Sequence, residues 1–349
     1  MRTSRKFVCG SLLAALLLAG CGGSVSAAAG GDGAAADVPL ESWFGSISSA
    51  VPSDEAALAD GRTVALFFGD VQPEASISEY AEVGALIDAA REDAPEADFA
   101  MQCGDITNTG GAGTPEEWGA FFAAAAPALE GLPTFFAPGN HECVPTADGV
   151  GGKPETYLKA FDLPANGPAG YEEEYYSFDC GDLHVVSLSS NYLDPSEDYA
   201  ADEDENARIA GEIDAWIEAD LAGADRPWKI VLMHQPAYAV AGDSTAAAMR
   251  ARWVPIFDRT GVDLVLCGHQ HEMMRTFPLK DGVDDPQGLV EVMGNASQKN
   301  YETSGTVPPD FIAFEMGGIS GWHKITATAE TLRIEAFAAD GRLLDAWEK

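Results

Sequence analysis

The sequence predicts a layered α/β fold, and two observations carry that prediction. From Thr63 onward, short apolar runs of strand character alternate with longer stretches of helical periodicity. Five of the apolar runs then stop at a glycine or a polar turn and deliver Asp, Asn or His directly beyond it. Open α/β sheets bind ligands just past the carboxyl ends of their strands, so chemistry is expected at those positions.

The elements follow in chain order. Residues 22–37 are rich in Gly, Ala and Ser and read as a flexible tether. Trp43, Phe44 and Ile47 mark the following lead-in, up to about residue 60, as a segment that packs somewhere. The strand at 63–68 runs into Gly69-Asp70-Val71-Gln72. A helix is expected over 78–91, where Tyr80, Val83, Leu86 and Ile87 recur at helical spacing. The strand at 99–103 runs into Gly104-Asp105-Ile106-Thr107-Asn108, and the Gly-rich stretch to Thr114 reads as a rim loop. Residues 115–129 open with Pro-Glu-Glu, a good first helical turn. The run 134–137 stops at Pro138-Gly139 and is followed at once by Asn140, His141 and Glu142. Residues 174–179 and 183–189 form a hairpin around Cys180-Gly181-Asp182. The acidic run 194–205 reads as a solvated loop, and 206–221 as an amphipathic helix through Ile209, Ile213, Trp216 and Ile217. The last two motif-bearing strands are 228–233, ending at His234-Gln235-Pro236, and 263–267, ending at Gly268-His269-Gln270-His271. Beyond them the pattern is mostly β, over 273–278, 289–293, 311–316, 323–328 and 331–338. No repeat is visible, so a single domain is expected over 61–349.

Bulk properties bound the function. Arg2, Arg5 and Lys6 precede an apolar run at 7–19, shorter than the stretch a membrane span needs. It ends in Leu18-Ala19-Gly20-Cys21, which resembles a bacterial lipobox, in which the cysteine becomes the lipidated first residue. The expectation is a signal peptide over 1–20, a lipid on Cys21, and export to the outer face of a membrane. Loss of the three leader cations takes the formal charge from −36 to −39. So acidic a chain repels nucleic-acid polymers and suits small ligands, and a monomer is expected. Cys103, Cys143, Cys180 and Cys267 would remain, and an oxidising compartment allows one or two disulfides. Cys103 and Cys267 also fit small buried residues at strand ends.

The strand ends supply Asp70, Asp105, Asn140, His234, His269 and His271: hard oxygens, imidazoles and a carboxylate able to bridge, the ingredients of a divalent-metal pair. Of six histidines, His141, His234, His269 and His271 lie there, whereas His184 and His323 sit inside strand-like runs and read as packing residues. Glycine before Asp70, Asp105, Asn140 and His269 suits sharp turns with close backbone approach. Arg275 is a minor candidate for phosphate binding; Tyr192, Tyr238 and Tyr301 lie in loops that could approach the site.

At these residues the chain resembles the calcineurin-like metallophosphoesterases. Gly69-Asp70, Gly104-Asp105-x-x-Asn108, Gly139-Asn140-His141-Glu142, Val231-Leu232-Met233-His234 and Gly268-His269-x-His271 stand in the family's order. The stretch around Tyr176–Ser190 looks closest to the purple acid phosphatase branch. The resemblance implies a four-layer sandwich, two facing mixed β-sheets flanked by helices. It implies a first ion on Asp70, Asp105 and His271, and a second on Asp105, Asn140, His234 and His269. His141 would contact phosphate or protonate the leaving oxygen, and the implied reaction is in-line attack on phosphorus by a metal-bound hydroxide.

Two positions depart from the pattern. Gln72 stands where many members have a histidine, and Asn108 where the purple members have a tyrosine. Either could donate a carbonyl oxygen, giving a harder, weaker first site suited to Mn²⁺, Mg²⁺ or Ca²⁺ more than Zn²⁺, with Fe also in range. Without that tyrosine no phenolate colour is expected. The resemblance thus points to an exported, lipid-anchored phosphoesterase, with phosphomonoesters ahead of nucleotide or lipid-headgroup diesters. The alternatives are a metal- or phosphate-binding lipoprotein without turnover and a structural surface protein.

Overall fold

Two β-sheets carry the structure, a computed structural model that describes residues 44–143, 152–193, 199–200, 202–241, 244–302 and 309–349. In chain order the strands are β1 (Thr63–Phe68), β2 (Phe99–Gln102), β3 (Thr134–Phe136), β4 (Tyr176–Cys180), β5 (Leu183–Leu188), β6 (Trp228–Met233), β7 (Leu264–Cys267), β8 (Met273–Thr276), β9 (Leu279–Lys280), β10 (Val283–Asp284), β11 (Val290–Met293), β12 (Ile312–Met316), β13 (Gly321–Ala327), β14 (Leu332–Ala338) and β15 (Leu343–Glu348). One sheet runs β15-β14-β13-β1-β2-β3 and the other β12-β8-β11-β7-β6-β5-β4, while β9 and β10 pair apart. The strands that carry the motifs are parallel within each sheet: β1, β2 and β3 in the first, β6 and β7 in the second. Their carboxyl ends therefore share an edge.

Period-two burial places the second sheet between two cores. Val185, Ile230, Leu232, Leu264 and Leu266 join the core shared with the first sheet. Val186, Val231, Met233 and Val265 face the other way and pack with helix residues Ile213, Ile217 and Phe257 and with Trp253. The first sheet meets helix residues Val83, Leu86, Ile87, Phe121 and Phe122. Helices thus flank both sheets, as expected.

The helices are α1 (Asp54–Ala57), α2 (Tyr80–Asp93), α3 (Pro115–Ala128), α4 (Glu155–Ala160), α5 (Glu203–Gly223), α6 (Ser244–Arg252) and α7 (Val254–Thr260). α3 starts at a capping box in which Thr114 and Glu117 satisfy each other's backbone N–H groups. Several elements differ from the sequence reading. The acidic run at 194–205 is not all loop: Asp202 caps α5 by accepting from Glu205 N, and Glu203, Asp204 and Glu205 fill its first turn, where the helix dipole favours acids. α4, α6, α7 and β15 carry too few periodic residues to stand out in sequence. Phe44 and Ile47 of the lead-in pack against the core, and Ser48 O accepts from Thr134 N at 2.7 Å, covering the edge of β3.

The leader, Cys21 and the tether lie outside the described residues, and no described helix is long and apolar enough to cross a membrane. The disulfide allowance is not taken up at Cys103, Cys180 or Cys267, which are buried thiols. Cys143 is buried too, with Asn191 Nδ2 3.1 Å from its sulfur.

Candidate metal centre

The motif loops meet where the parallel strands of the two sheets converge. The backbone of Asp70, just past β1, pairs with Asn295, just past β11, and Ala296 N donates to Asp70 O at 2.9 Å. Glycines make that convergence possible, though not chiefly as sharp turns. Of the four expected, only Gly104 has a positive φ, +97°. Gly268 is needed for space, because a Cβ there would lie 2.3 Å from Asp70 Oδ2. The strain falls instead on the functional residues: Asp105, His269 and His271 hold φ values of 52°, 74° and 51°. Left-handed backbone at non-glycine residues is costly and persists only where its surroundings over-determine it.

Four donor atoms converge in the second group. His234 Nε2 lies 3.0 Å from Asn140 Oδ1, 3.2 Å from Asp105 Oδ1 and 3.3 Å from His269 Nδ1. His269 Nδ1 lies 3.1 Å from Asn140 Oδ1. A tetrahedral ion with bonds of about 2.0–2.1 Å needs ligand-to-ligand edges of about 3.3–3.4 Å, close to this spacing. The other nitrogen of His234, Nδ1, donates to Cys103 O at 3.0 Å, which assigns Nε2 as the free lone pair.

The first group shares Asp105. Oxygens of Asp70 and Asp105 and a ring nitrogen of His271 lie within 4.8 Å of one another, all buried. His271 Nδ1 is buried without a hydrogen-bond partner among the described residues. Burial, and then the Lys299 ammonium, pull His271 down to about 3, so the ring is neutral and able to ligate.

Electrostatics ask for cations here. Burial raises the pKa of Asp70, and the Asp105 charge adds to that rise. Burial opposes the charge of Asp105 too, but His234, His141 and His269 outweigh it and hold its pKa below the usual range. Burial likewise opposes protonation of His234, yet the Asp105, Asp70 and Glu142 carboxylates raise it to about 9. The carboxylates around His234 thus favour positive charge in this part of the site. Two carboxylates, an amide oxygen and three imidazoles suit two divalent cations.

Gln72 and Asn108 are near the first group but differently engaged from the sequence reading. Gln72 turns its amide nitrogen inward, donating to Asp105 Oδ2 at 2.6 Å and lying 3.3 Å from His271 Nε2. Its oxygen accepts from Lys299 Nζ at 2.9 Å, and Asn108 Oδ1 accepts from the same ammonium at 3.1 Å. The two carbonyl oxygens expected to face an ion thus face Lys299. Sequence reasoning missed that lysine; the loss of two family ligands was the signal, since a compensating cation could have been sought.

His141 stands at the mouth. Its side chain is 22% exposed, Nε2 lies 3.8 Å from Asp105 Oδ2, and its backbone N–H donates to Asp105 Oδ1 at 3.1 Å. Glu142 was read in sequence only as part of its motif, with no role of its own. Its fully buried carboxylate accepts from Gly139 N and Asp105 N on one oxygen, at 2.9 and 2.8 Å, and from Ile106 N and Thr107 N on the other, at 2.9 and 3.1 Å. Burial and then Asp105 raise its pKa, yet both oxygens are acceptors only, so the geometry requires the carboxylate.

Other sequence candidates lie elsewhere. Arg275 is no phosphate ligand, because its guanidinium grips Asp345 with two bonds of 2.6 and 3.1 Å, joining β8 to β15 across the two sheets. His323 is buried in β13. His184 sits between Asp179 and Asp220, at 2.7 and 2.9 Å, beside a cavity of ≈ 570 Å³ remote from the motifs. Tyr192 and Tyr238 are buried in the helix-side core, whereas Tyr301 is 51% exposed and lies edge-on to His271 at 4.9 Å.

Two donor groups that share one carboxylate at the strand ends of a two-sheet sandwich define a candidate dinuclear divalent centre. The calcineurin-like phosphoesterase profile matches residues 64–273, and the chain belongs to that family, whose members use dinuclear divalent centres. It is 33% identical over 184 residues to an uncharacterized protein of Mycobacterium tuberculosis, covering 49% of this chain and 33% of that one. It is 30% identical over 182 residues to purple acid phosphatase 23 of Arabidopsis thaliana, covering 51% and 36%. The chain therefore spans about a third of the length of the curated relatives it matches. The structure of purple acid phosphatase PPD1 from yellow lupin seeds is similar in fold, with a TM-score of 0.63 and 21% identity, covering 82% of this chain and 53% of that one.

Proposed function

We propose that this protein is an exported, lipid-anchored hydrolase of small phosphoric monoesters. The observation that carries the reading is the pair of donor groups sharing Asp105, with the part-exposed His141 beside them at the mouth. Asp70, Asp105 and His271 would hold one divalent ion, and Asp105, Asn140, His234 and His269 the other. When bound, the ions supply positive charge to the phosphate and a nucleophile at neutral pH. The chain does the rest. His141 holds a proton at the mouth and donates it to the leaving oxygen. Glu142 locks the 104–108 and 139–142 loops to each other, so Asp105 and Asn140 keep one relative position. The Cys103 carbonyl orients His234. Backbone strain at Asp105, His269 and His271 fits a site whose geometry is set before substrate arrives.

Monoesters are favoured over diesters by the likeness to purple acid phosphatases, and small substrates by the net charge of −36. The leader and Cys21 support export and anchoring. A non-catalytic binding role has one observation in its favour, the engagement of Gln72 and Asn108 with Lys299. Turnover of p-nitrophenyl phosphate and bis-p-nitrophenyl phosphate by the full chain separates these readings. Expected are monoester turnover faster than diester, loss with chelator, and a 10²- to 10⁴-fold loss in His141→Ala, roughly the usual range for general acid catalysis, with metal content unchanged. Metal binding without turnover of either ester would favour the binding protein. Detergent-phase partition lost in Cys21→Ser is expected for the anchor; its persistence would refute lipidation.

A further inference from the structure

Lys299 is the strongest feature that the phosphoesterase reading leaves unused. It lies on the 295–301 stretch, whose ends are fixed to the site: Asn295 pairs with Asp70, and Tyr301 N donates to His271 O at 3.0 Å. Ser297 Oγ donates to Lys299 O at 3.1 Å between those anchors. The half-buried side chain is likewise seated, with Nζ donating to Gln72 Oε1 and Asn108 Oδ1 at 2.9 and 3.1 Å. One amide, that of Gln72, separates the ammonium from Asp105 Oδ2 and His271 Nε2. No described bond joins Lys299 to His234, His269 or Asn140.

We propose that Lys299 makes the first donor group the weaker and exchangeable half of the centre, so that ions fill the second group before the first. The inference rests on the reading of the two groups as metal sites. Two effects of the ammonium act together. Its fixed charge repels a dication held by Asp70, Asp105 and His271, and the repulsion falls with distance toward the second group. It also engages the two carbonyl oxygens, Gln72 Oε1 and Asn108 Oδ1, that would complete the coordination of an ion there. A cation in the first group must therefore displace Lys299 from both amides or manage with fewer ligands. Among the described residues Lys299 does not engage the carbonyl oxygen of the second group, Asn140 Oδ1, which lies 3.0 Å from His234 Nε2 and 3.1 Å from His269 Nδ1.

The test is a Mn²⁺ titration of the chelator-stripped full chain, with free and spin-coupled Mn²⁺ counted by electron paramagnetic resonance. In the unaltered protein the first equivalent is expected to give an isolated ion, with spin-coupled pairs only at higher Mn²⁺. In Lys299→Gln the second step is expected to tighten at least tenfold while the first moves less than twofold. Lys299→Arg, which keeps the charge, is expected to keep the weak step. Coupled pairs from the first equivalent onward in the unaltered protein would overturn the proposal even if no variant folds. So would an unchanged or weakened second step in Lys299→Gln, or equal shifts in both steps. No Mn²⁺ or Zn²⁺ binding by the unaltered protein would instead remove the metal-centre reading itself.

Discussion

Replacing Glu142 by glutamine tests whether the centre is held by its supporting shell as much as by its ligands. Four backbone N–H groups, from Gly139, Asp105, Ile106 and Thr107, converge on the two carboxylate oxygens. Glutamine keeps the shape but offers one acceptor oxygen, so two N–H groups would face an N–H₂ group. A buried donor left unpaired costs about 1–3 kcal/mol, so the direct loss is about 2–6 kcal/mol. Removing a buried charge beside Asp105 returns about 1–2 kcal/mol of that, leaving a net loss of about 1–4 kcal/mol. Urea unfolding of the metal-free full chain, followed by circular dichroism, measures it. The same variant should bind the tighter Mn²⁺ at least tenfold more weakly, because Gly139 and Asp105 flank or form the second group. A stability within 0.5 kcal/mol of the unaltered protein, with unchanged metal affinity, would refute the role given to Glu142.

Two further perturbations probe groups away from the ions. His184 is pushed up in pKa: burial opposes its charge, but the hydrogen bonds it donates to Asp220 and Asp179 outweigh that opposition. The folded protein thus binds this proton more tightly than the unfolded chain. Its stabilising contribution is complete below about pH 6.5, the unfolded imidazole value, and is lost as pH rises through the higher folded value. Melting temperature followed from pH 5.5 to 8.5 should fall less steeply over that window in His184→Gln; an identical slope would show that the pair of aspartates does not hold the proton. Arg275→Met leaves Asp345 mostly buried without its cation and should destabilise by about 2–4 kcal/mol in urea unfolding. Turnover per folded molecule should remain within twofold, since Arg275 reaches across the sheets and not toward the centre. A large loss of turnover with intact stability would return Arg275 to the substrate.

What sequence could show of this protein divides along a physical line. Strands β1, β6 and β7 are runs of apolar residues with turn signals behind them, and the residues beyond them have no packing reason to be Asp, Asn or His. Local pattern and local chemistry agree there, so both the sheets and the donor atoms were legible. α6 and α7 were not, because 245–248 is mostly alanine and α7 has Pro255 in its first turn, leaving little periodic contrast. β15 was missed because it lies at a sheet edge with no fully buried position. Glu142 was read as part of a motif, but its task is to collect N–H groups from a loop 35 residues and more away, which no local spacing encodes.

Lys299 shows the same limit at the point where function depends on it. Gln72 and Asn108 read in sequence as two lost ligands, each replaceable by its carbonyl oxygen. The fold brings a lysine from 191 residues beyond Asn108 onto both oxygens. The two departures and the lysine therefore form one hydrogen-bonded cluster. Taking an imidazole and a phenolate from the first group while adding an ammonium moves its character from tight ligation toward electrostatic holding. Asp70, Asp105 and His271 still supply two carboxylates and a neutral ring, so a hard ion is retained there on charge and little else. The second group keeps its nitrogen donors and loses nothing. On the proposed role of Lys299, a centre so divided would exchange one ion with its surroundings while the other stays, and activity would follow the concentration of the exchangeable ion.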